Sequence, residues 1–330
     1  MNLARKLLLV LCWCTMFVPG PGGTTLFAQL DNAEANRQNP SSLPEATTLP
    51  HTSDWRFGMR IAASSDTTGI QATVPVPIEW PEQTVEFLSW DKPDFVTVAR
   101  IKKNGRDASQ LYFKVGQLPA GEEVTVTVNV RITKLESRVP ENTDRFVFAK
   151  TISSSLRNHL TPSPFIESRD PKIRELAESL PIDDAAPAWN QVEAIYDWVR
   201  EHVEYRFDPQ IRSCLTALET GQGDCEELAG LFIALCRARG IPARAVWIPD
   251  HTYPEFYLVD ENGAGHWIPC QAAGSRAFGY MPEAKPILQK GDKFRIPGQR
   301  EPQRYNQPTL KARNAASDPL INWIMEQVRN

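Results

Sequence analysis

The residues best suited to covalent chemistry in this chain are a cysteine and a histidine, Cys225 and His251. Cys225 stands at the predicted first turn of a helix, directly after a glycine-bearing turn, Gly221-Gln222-Gly223-Asp224. Because a helix start favours negative charge, we expect the thiol to be biased toward thiolate, the form that attacks carbonyl carbon. His251 follows about 26 residues later. Nucleophilic acyl transfer needs such a cysteine and histidine.

The helix that carries Cys225 has clear start and stop signals. Asp224 is a suitable N-cap, and Glu227 lies three residues further on, which is the spacing of a capping box. Gly240 predicts the end of the helix, so we expect it to span 225–239. The carboxylates of Glu226 and Glu227 oppose a thiolate, unless both side chains point outward.

A hairpin downstream is expected to bring a third polar group to His251. The turn Asp260-Glu261-Asn262-Gly263 lies between two strand-like runs, and folding about it pairs positions whose numbers sum to about 525. Gln271 then lies near His251, where its carbonyl oxygen can accept an imidazole N–H and orient the ring. Asp260 is an alternative third group at the far end of the hairpin, and His266 is a rival base.

Composition excludes several classes of function. The formal net charge is −4, and no basic cluster is present, which argues against nucleic acid as a partner. The sequence has neither a glycine-rich phosphate loop nor a metal-binding constellation, so no cofactor and no metal are expected. Cys236 is expected to be a core residue, and Cys214 and Cys270 are expected to be free or paired with each other rather than catalytic. The oligomeric state is left open.

The N-terminus has the pattern of a secretion signal. Arg5 and Lys6 precede an apolar run of 12 residues, Leu7 to Val18, which is too short to span a membrane, and Ala28 is a plausible cleavage site. We therefore expect a signal peptide at 1–28 and a secreted or periplasmic protein without stable membrane insertion. The polar segment at 29–52 is interpreted as a disordered arm.

Residues 53–137 alternate with the period of β-strands. In Glu123–Arg131 every second residue is valine, as in a strand that buries one face. Weaker candidate strands are separated by turn residues, which is typical of a β-sandwich with a structural or adhesive role. The weaker candidates are 69–76, 84–90, 96–101 and 111–115.

The remaining chain divides into a linker at 138–160, an α+β core at 161–285 and a tail at 286–330. Apolar residues recur at helical spacing in the core, and a short helix is predicted near the end of the tail. The predicted helices are 170–180, 188–203, 225–239 and 319–328, and strands are expected at 243–248, 256–259 and 267–270.

Several motifs in a fixed order resemble the bacterial transglutaminase-like superfamily. They are Trp198-Val199 with Tyr205, Gly223-x-Cys225, Leu235-Cys236-Arg237-Ala238-x-Gly240-Ile241-Pro242-Ala243-Arg244, His251-x-Tyr253-x-Glu255 and Trp267-Ile268-Pro269. The resemblance covers residues 160–275. It implies a papain-like cysteine fold, with helices packed on an antiparallel sheet. It also implies that an immunoglobulin-like all-β sandwich precedes this core, as in similar exported proteins.

The resemblance assigns the nucleophile to Cys225 and the acid/base to His251. The family's orienting aspartate is replaced by a glutamine, Gln271. We therefore expect an exported enzyme that forms a thioester at amide or peptide bonds of a protein or peptide substrate, followed by hydrolysis or transfer to an amine. The alternative is a catalytically weak or inactive binding module that retains the fold.

Overall fold

The computed structural model describes residues 50–103, 107–296 and 299–328. The predicted signal peptide and all but the last residues of the predicted arm lie outside these ranges. In chain order the strands are β1 His51–Ala62, β2 Thr67–Val76, β3 Gln83–Asp91, β4 Val96–Lys103, β5 Ser109–Leu118, β6 Glu123–Lys134, β7 Glu204–Tyr205, β8 Gln222–Gly223, β9 Ala243–Ile248, β10 His251–Val259, β11 Gly265–Gln271, β12 Ala277–Phe278, β13 Gln289–Lys290, β14 Thr309–Lys311 and β15 Leu320–Gln327. The helices are α1 Ser154–Arg157, α2 Pro171–Ser179, α3 Ala188–His202, α4 Cys214–Thr220 and α5 Cys225–Ala238, with a 3-10 turn at Asn158–Leu160.

Two four-stranded antiparallel sheets, each with three strands from the first part of the chain and one from residues 309–327, enclose one apolar core. Their strand orders are β15-β1-β6-β3 and β14-β2-β5-β4. Val124, Val126 and Val128 of β6 are buried in this core together with Phe57 and Met59 of β1. Burying one such side chain stabilises the fold by about 1.5–3 kcal/mol, so the alternating valines explain why β6 is central to its sheet. The predicted packing of two sheets is therefore observed.

The two sheets do not have the strand order of an immunoglobulin domain. In that fold strands A and B lie in one sheet. Here β1 and β2 lie in different sheets, and β6 lies between β1 and β3. The expected immunoglobulin-like order is therefore replaced by another two-sheet arrangement. The end of the predicted arm also differs, because His51 and Thr52 pair with β6 and belong to β1.

The predicted C-terminal helix over 319–328 is wrong, because this segment forms strand β15. It pairs antiparallel with β1, from Ala62 opposite Leu320 to Trp55 opposite Gln327. Ile321 and Met325 pack against the apolar core of the two sheets. A separation of four residues places side chains on one face of a helix and also on one face of a strand, so the apolar pattern did not distinguish the two.

The mixed α/β part is built on an antiparallel sheet of order β12-β11-β10-β9-β13. Helix α5 packs against this sheet and is buried along most of its length. The predicted helices over 170–180 and 188–203 are present as α2 and α3. None of the helices in the described part of the chain is long and apolar enough to cross a membrane.

Helix α5 ends in a hydrogen-bonded glycine turn. Gly240 has a φ of +79°, and its N–H donates to the carbonyl of Arg237, while the N–H of Ile241 donates to that of Cys236. These two bonds are those of a Schellman motif, which requires the left-handed backbone that glycine adopts without strain. The turn directs the chain into β9, so α5 and the sheet are connected without a long loop.

A buried ion pair ties α5 to the segment after the sheet. Arg237 donates to both carboxylate oxygens of Asp292 at 2.8 and 2.9 Å, and both side chains are almost fully buried. Burial raises the pKa of Asp292, but the charge of Arg237 and a hydrogen bond from Ser163 outweigh it and lower this pKa. Removing one partner of such a pair leaves an uncompensated buried charge, so the pair holds residue 292 against the core.

Candidate active site

Cys225 is the first residue of α5, as the capping signals predicted. The Asp224 carboxylate accepts hydrogen bonds from the N–H groups of Glu226 and Glu227 at 2.7 and 3.4 Å. In return, Glu227 accepts one from the N–H of Asp224 at 2.8 Å. The capping box is therefore present, and it fixes the first turn of the helix that carries the thiol.

The expectation of a thiol biased toward thiolate is not met. Burial raises the pKa of Cys225 to about 11, and the charges of Asp224 and Glu227 add to this effect. Hydrogen bonding from the backbone N–H of Thr252, and from that of Cys225 itself, lowers the pKa but does not outweigh burial. The helix start alone is thus weaker than desolvation at this position, and the resting side chain is a neutral thiol at pH 7.

The two glutamates after the thiol do not both point outward. The Glu227 side chain is buried and also accepts a hydrogen bond from the backbone N–H of Arg212 at 3.0 Å. Glu226 is paired with Arg304, which lies well downstream in the chain. A guanidinium therefore offsets the charge of the residue next to Cys225.

His251 is the first residue of β10, and the next residue, Thr252, contacts the thiol of Cys225. Its ring Nε2 is 2.8 Å from Oε1 of Gln271, and its side chain is 12% exposed. The sulfur of Cys225 accepts a hydrogen bond from the backbone N–H of Thr252, the residue directly after His251. Cys225 is therefore in contact with the strand that begins at His251, and His251 is in contact with Gln271.

Gln271 is held on its backbone as well as its side chain. Its carbonyl accepts hydrogen bonds from the Tyr196 hydroxyl at 2.9 Å and from the Arg200 guanidinium at 3.0 Å. In the hairpin, Glu255 pairs with Pro269, so paired positions sum to 524, one less than predicted. The hairpin thus places Gln271 beside His251, and α3 fixes the end of β11 from the other side.

Sequence reasoning did not find Glu283, which lies in a loop after β12. The side-chain amide of Gln271 donates to Oε1 of Glu283 at 3.3 Å, and the same oxygen is 3.8 Å from Nε2 of His251. Residues 281–284 form no helix or strand, so no periodic signal marks this glutamate. A carboxylate therefore lies close to the imidazole even though position 271 is an amide.

The two alternatives in the hairpin contact each other instead of the thiol. Nε2 of His266 is 2.9 Å from Oδ2 of Asp260, and both residues are buried. Burial raises the pKa of Asp260, but the bonds from His266 and from the N–H groups of Ala264 and Asn262 outweigh it, and the pKa is lowered. Asp260 and His266 stabilise the turn and are not part of the Cys225 site.

The four described cysteines are free thiols. Cys214, Cys236 and Cys270 are fully buried, whereas Cys225 is partly exposed. Burial raises the pKa of all three buried thiols. Among the described residues no cluster of three or more His, Cys, Asp or Glu side chains has the arrangement of a metal site.

An exposed apolar surface borders the thiol. The side chains of Tyr205, Phe207 and Ile211 are exposed, Phe207 by 72%. The strand pairing of β7 with β8 places Tyr205 beside Gly223, two residues before Cys225. Tyr205 therefore lies close to Cys225, and Phe207 and Ile211 follow it in the same exposed segment, which we call the apolar rim at 205–211.

Comparison with known proteins gives a family match for the core of the chain. Residues 174–272 match the family model of the transglutaminase-like superfamily. A solved structure of a proposed cysteine protease from Cytophaga hutchinsonii is similar, with a TM-score of 0.59, 17% identity, and coverage of 86% of this chain and 92% of that chain. At this identity the similarity shows the fold alone.

Two further solved structures have lower similarity. The periplasmic domain of TgpA from Pseudomonas aeruginosa has a TM-score of 0.33 and 17% identity, and the match covers 73% of this chain and 90% of that chain. A proposed protease from Parabacteroides distasonis has a TM-score of 0.26 and 13% identity, with coverage of 69% and 68%. No curated protein sequence gives a significant match. The core at residues 174–272, which contains Cys225, His251 and Gln271, therefore matches the transglutaminase-like superfamily.

Proposed function

We propose that this protein is an exported cysteine enzyme that acts on amide or peptide bonds of a protein or peptide substrate. Cys225 is the nucleophile, His251 the acid/base, and Gln271 the group that orients the imidazole. One observation carries the proposal. Nε2 of His251 lies 2.8 Å from Oε1 of Gln271, and the sulfur of Cys225 accepts a hydrogen bond from the N–H of Thr252, the residue after His251.

The hydrogen bond to Gln271 determines which ring nitrogen serves as the base. The amide oxygen accepts, so Nε2 of His251 carries a proton and Nδ1 holds the free electron pair. Nδ1 takes the thiol proton as the Cys225 sulfur forms a bond to the substrate carbonyl carbon. The raised pKa of the thiol supports a concerted transfer rather than a thiolate formed beforehand.

The tetrahedral intermediate then breaks its carbon–nitrogen bond. The His251 imidazolium returns the proton from Nδ1 to the leaving amine, which departs and leaves a thioester on Cys225. Water or a second amine attacks the thioester, again with His251 as the base, and restores the thiol. The apolar rim at 205–211 offers a contact surface for apolar substrate side chains.

The test is alkylation with iodoacetamide, followed by mass spectrometry of each thiol. We expect Cys225 to react well before the three buried cysteines, and its rate to rise about tenfold per pH unit between pH 8 and 10 because its pKa is about 11. His251→Ala should slow the reaction at pH 7, whereas His202→Ala, a change at an exposed histidine, should not. Equal labelling of all four thiols would contradict the proposal.

The raised thiol pKa also supports a second candidate, a binding module without catalytic activity. Trapping distinguishes the two. If Cys225 is a nucleophile, a peptide aldehyde with an apolar side chain should form a thiohemiacetal that Cys225→Ala abolishes and Cys236→Ala retains. If the protein is a binding module, the unaltered protein and Cys225→Ala should bind the aldehyde equally well, and neither should form a covalent adduct.

A further inference from the structure

The side chain of Gln271 connects two ionisable groups, because it is hydrogen-bonded both to the carboxylate of Glu283 and to the imidazole of His251. Glu283 accepts from the amide nitrogen of Gln271 at 3.3 Å, and the amide oxygen of Gln271 lies 2.8 Å from His251. We propose that Glu283 is the positioning residue that supplies negative charge to His251 through the amide of Gln271. The inference rests on the proposed role of Cys225 and His251 as a catalytic pair.

The carboxylate determines the orientation of the amide. An ionised carboxylate only accepts hydrogen bonds, so Gln271 must turn its NH₂ group toward Glu283 and its oxygen toward His251. That oxygen in turn requires a proton on Nε2 of His251. A glutamine without such a neighbour is free to turn over and present its NH₂ group to the ring, which would favour the wrong tautomer. Glu283 therefore selects the tautomer in which Nδ1 is the base.

The same carboxylate also acts directly on the charge of the ring. Oε1 of Glu283 lies 3.8 Å from Nε2 of His251, in a place where both side chains are mostly screened from water. An opposite charge at this distance favours the charged form of a titratable group. Glu283 thus favours the imidazolium that forms after Cys225 has given up its proton. The amide of Gln271 alone carries no net charge.

Glu283 is held in place by two lysines. Nζ of Lys285 is 3.6 Å from Oε2 of Glu283 and donates to the carbonyl of Pro249 at 3.1 Å, in the turn before His251. Nζ of Lys134 donates to the backbone carbonyl of Glu283 at 2.8 Å. The two carboxylate oxygens therefore have different partners, because Oε1 faces Gln271 and His251 while Oε2 faces Lys285.

The positive charges of Lys134 and Lys285 offset part of the charge of Glu283. Lys134 comes from β6 and Lys285 from the loop itself, and His51 of β1 lines the same cavity of about 260 Å³. Burial lowers the pKa of Lys134 to about 8, and the charge of Glu82 opposes this. Lys285 faces Oε2 of Glu283 and Lys134 faces its backbone carbonyl, so Oε1 is the oxygen that acts on His251.

The experiment compares Glu283→Gln with Glu136→Gln, a control carboxylate that lines the same cavity. Glu283→Gln keeps the size of the side chain and removes its charge. We expect kcat/KM on a peptide amide, or the rate of aldehyde trapping, to fall about 10- to 100-fold. The ring ¹⁵N chemical shifts of His251, followed by NMR, should change from those of the Nε2–H tautomer toward those of a mixture of tautomers. Glu136→Gln should change neither quantity.

A charge swap separates positioning from folding. The double variant Gln271→Glu with Glu283→Gln places the carboxylate beside His251 and the amide behind it, and it should recover most of the rate that Glu283→Gln loses. The inference is overturned if Glu283→Gln behaves like Glu136→Gln, or if the swap recovers nothing while the protein remains folded. If Cys225 proves unreactive in the unaltered protein, the proposed function fails, whereas the NMR measurement of the His251 tautomer still tests the link from Glu283 to His251.

Discussion

Arg304 forms an ion pair with Glu226, the residue that directly follows Cys225. The guanidinium also lies over the ring of Trp247, 5.2 Å from its centroid. Burial lowers the pKa of Arg304, and the nearby charge of Asp224 opposes this shift. A residue from the C-terminal segment therefore takes part in the electrostatics at the start of α5.

We predict that Arg304→Gln makes Cys225 less reactive. Without the guanidinium the charge of Glu226 is uncompensated beside the thiol, so the pKa of Cys225 should rise and its alkylation rate at pH 9 should fall about 3- to 10-fold. Arg276→Gln is the matched control, because Arg276 pairs with Glu193 and Asp197 on α3. An unchanged rate in Arg304→Gln would mean that Glu226 does not influence the thiol.

The second prediction concerns His159, a mostly buried histidine whose ring edge meets Trp267 at 5.0 Å. Burial, and then the charge of Arg244, lowers the pKa of His159 to about 3. In the unfolded chain the ring protonates near pH 6.5. Between these two pH values the unfolded chain binds a proton at His159 that the folded state does not bind. The free energy of unfolding therefore decreases as the pH falls from 6.5 toward 3.

His159→Phe should therefore reduce the loss of stability in acid. Between pH 7 and pH 4.5 the free energy of unfolding of the variant should fall by about 2 kcal/mol less than that of the unaltered protein. Urea denaturation at the two pH values measures this difference. His202→Asn, at an exposed position, should retain the full pH dependence, and a His159→Phe curve parallel to it would disprove the assignment.

The third prediction concerns strand β15. Deleting residues 319–330 removes its eight pairs with β1 and uncovers the core positions that Ile321 and Met325 cover. We expect the free energy of unfolding to fall by about 3 kcal/mol, mainly from lost apolar burial. The open edge of β1 should also promote association, visible by size-exclusion chromatography. Leu320→Thr, at an exposed position of the same strand, should do neither.

Local signals in the sequence predicted much of the fold. Caps, glycines and apolar spacing gave α2, α3 and α5 close to their observed bounds, because these features act within a few residues. The turn at Asn262-Gly263 gave the register of the hairpin to within one position, and that placed Gln271 beside His251.

Effects that depend on distant contacts were not predictable in this way. Glu283 and Arg304 reach the site from loops with no periodic pattern, and each acts through a residue far away in the sequence. The pKa of Cys225 was predicted in the wrong direction because a helix start is visible in the sequence whereas the depth of burial is not. Strand β15 was missed because its partner β1 lies at the other end of the chain.

The pairing of β1 with β15 has a consequence for the order of events during synthesis. About 185 residues separate the end of β6 from the start of β15, and a ribosome needs about 10 to 40 s to translate them. During this time β1 and β6 have already emerged, but one side of β1 has no partner. The first sheet is completed only when β15 has emerged, so the edge of β1 that β15 covers stays open throughout this interval.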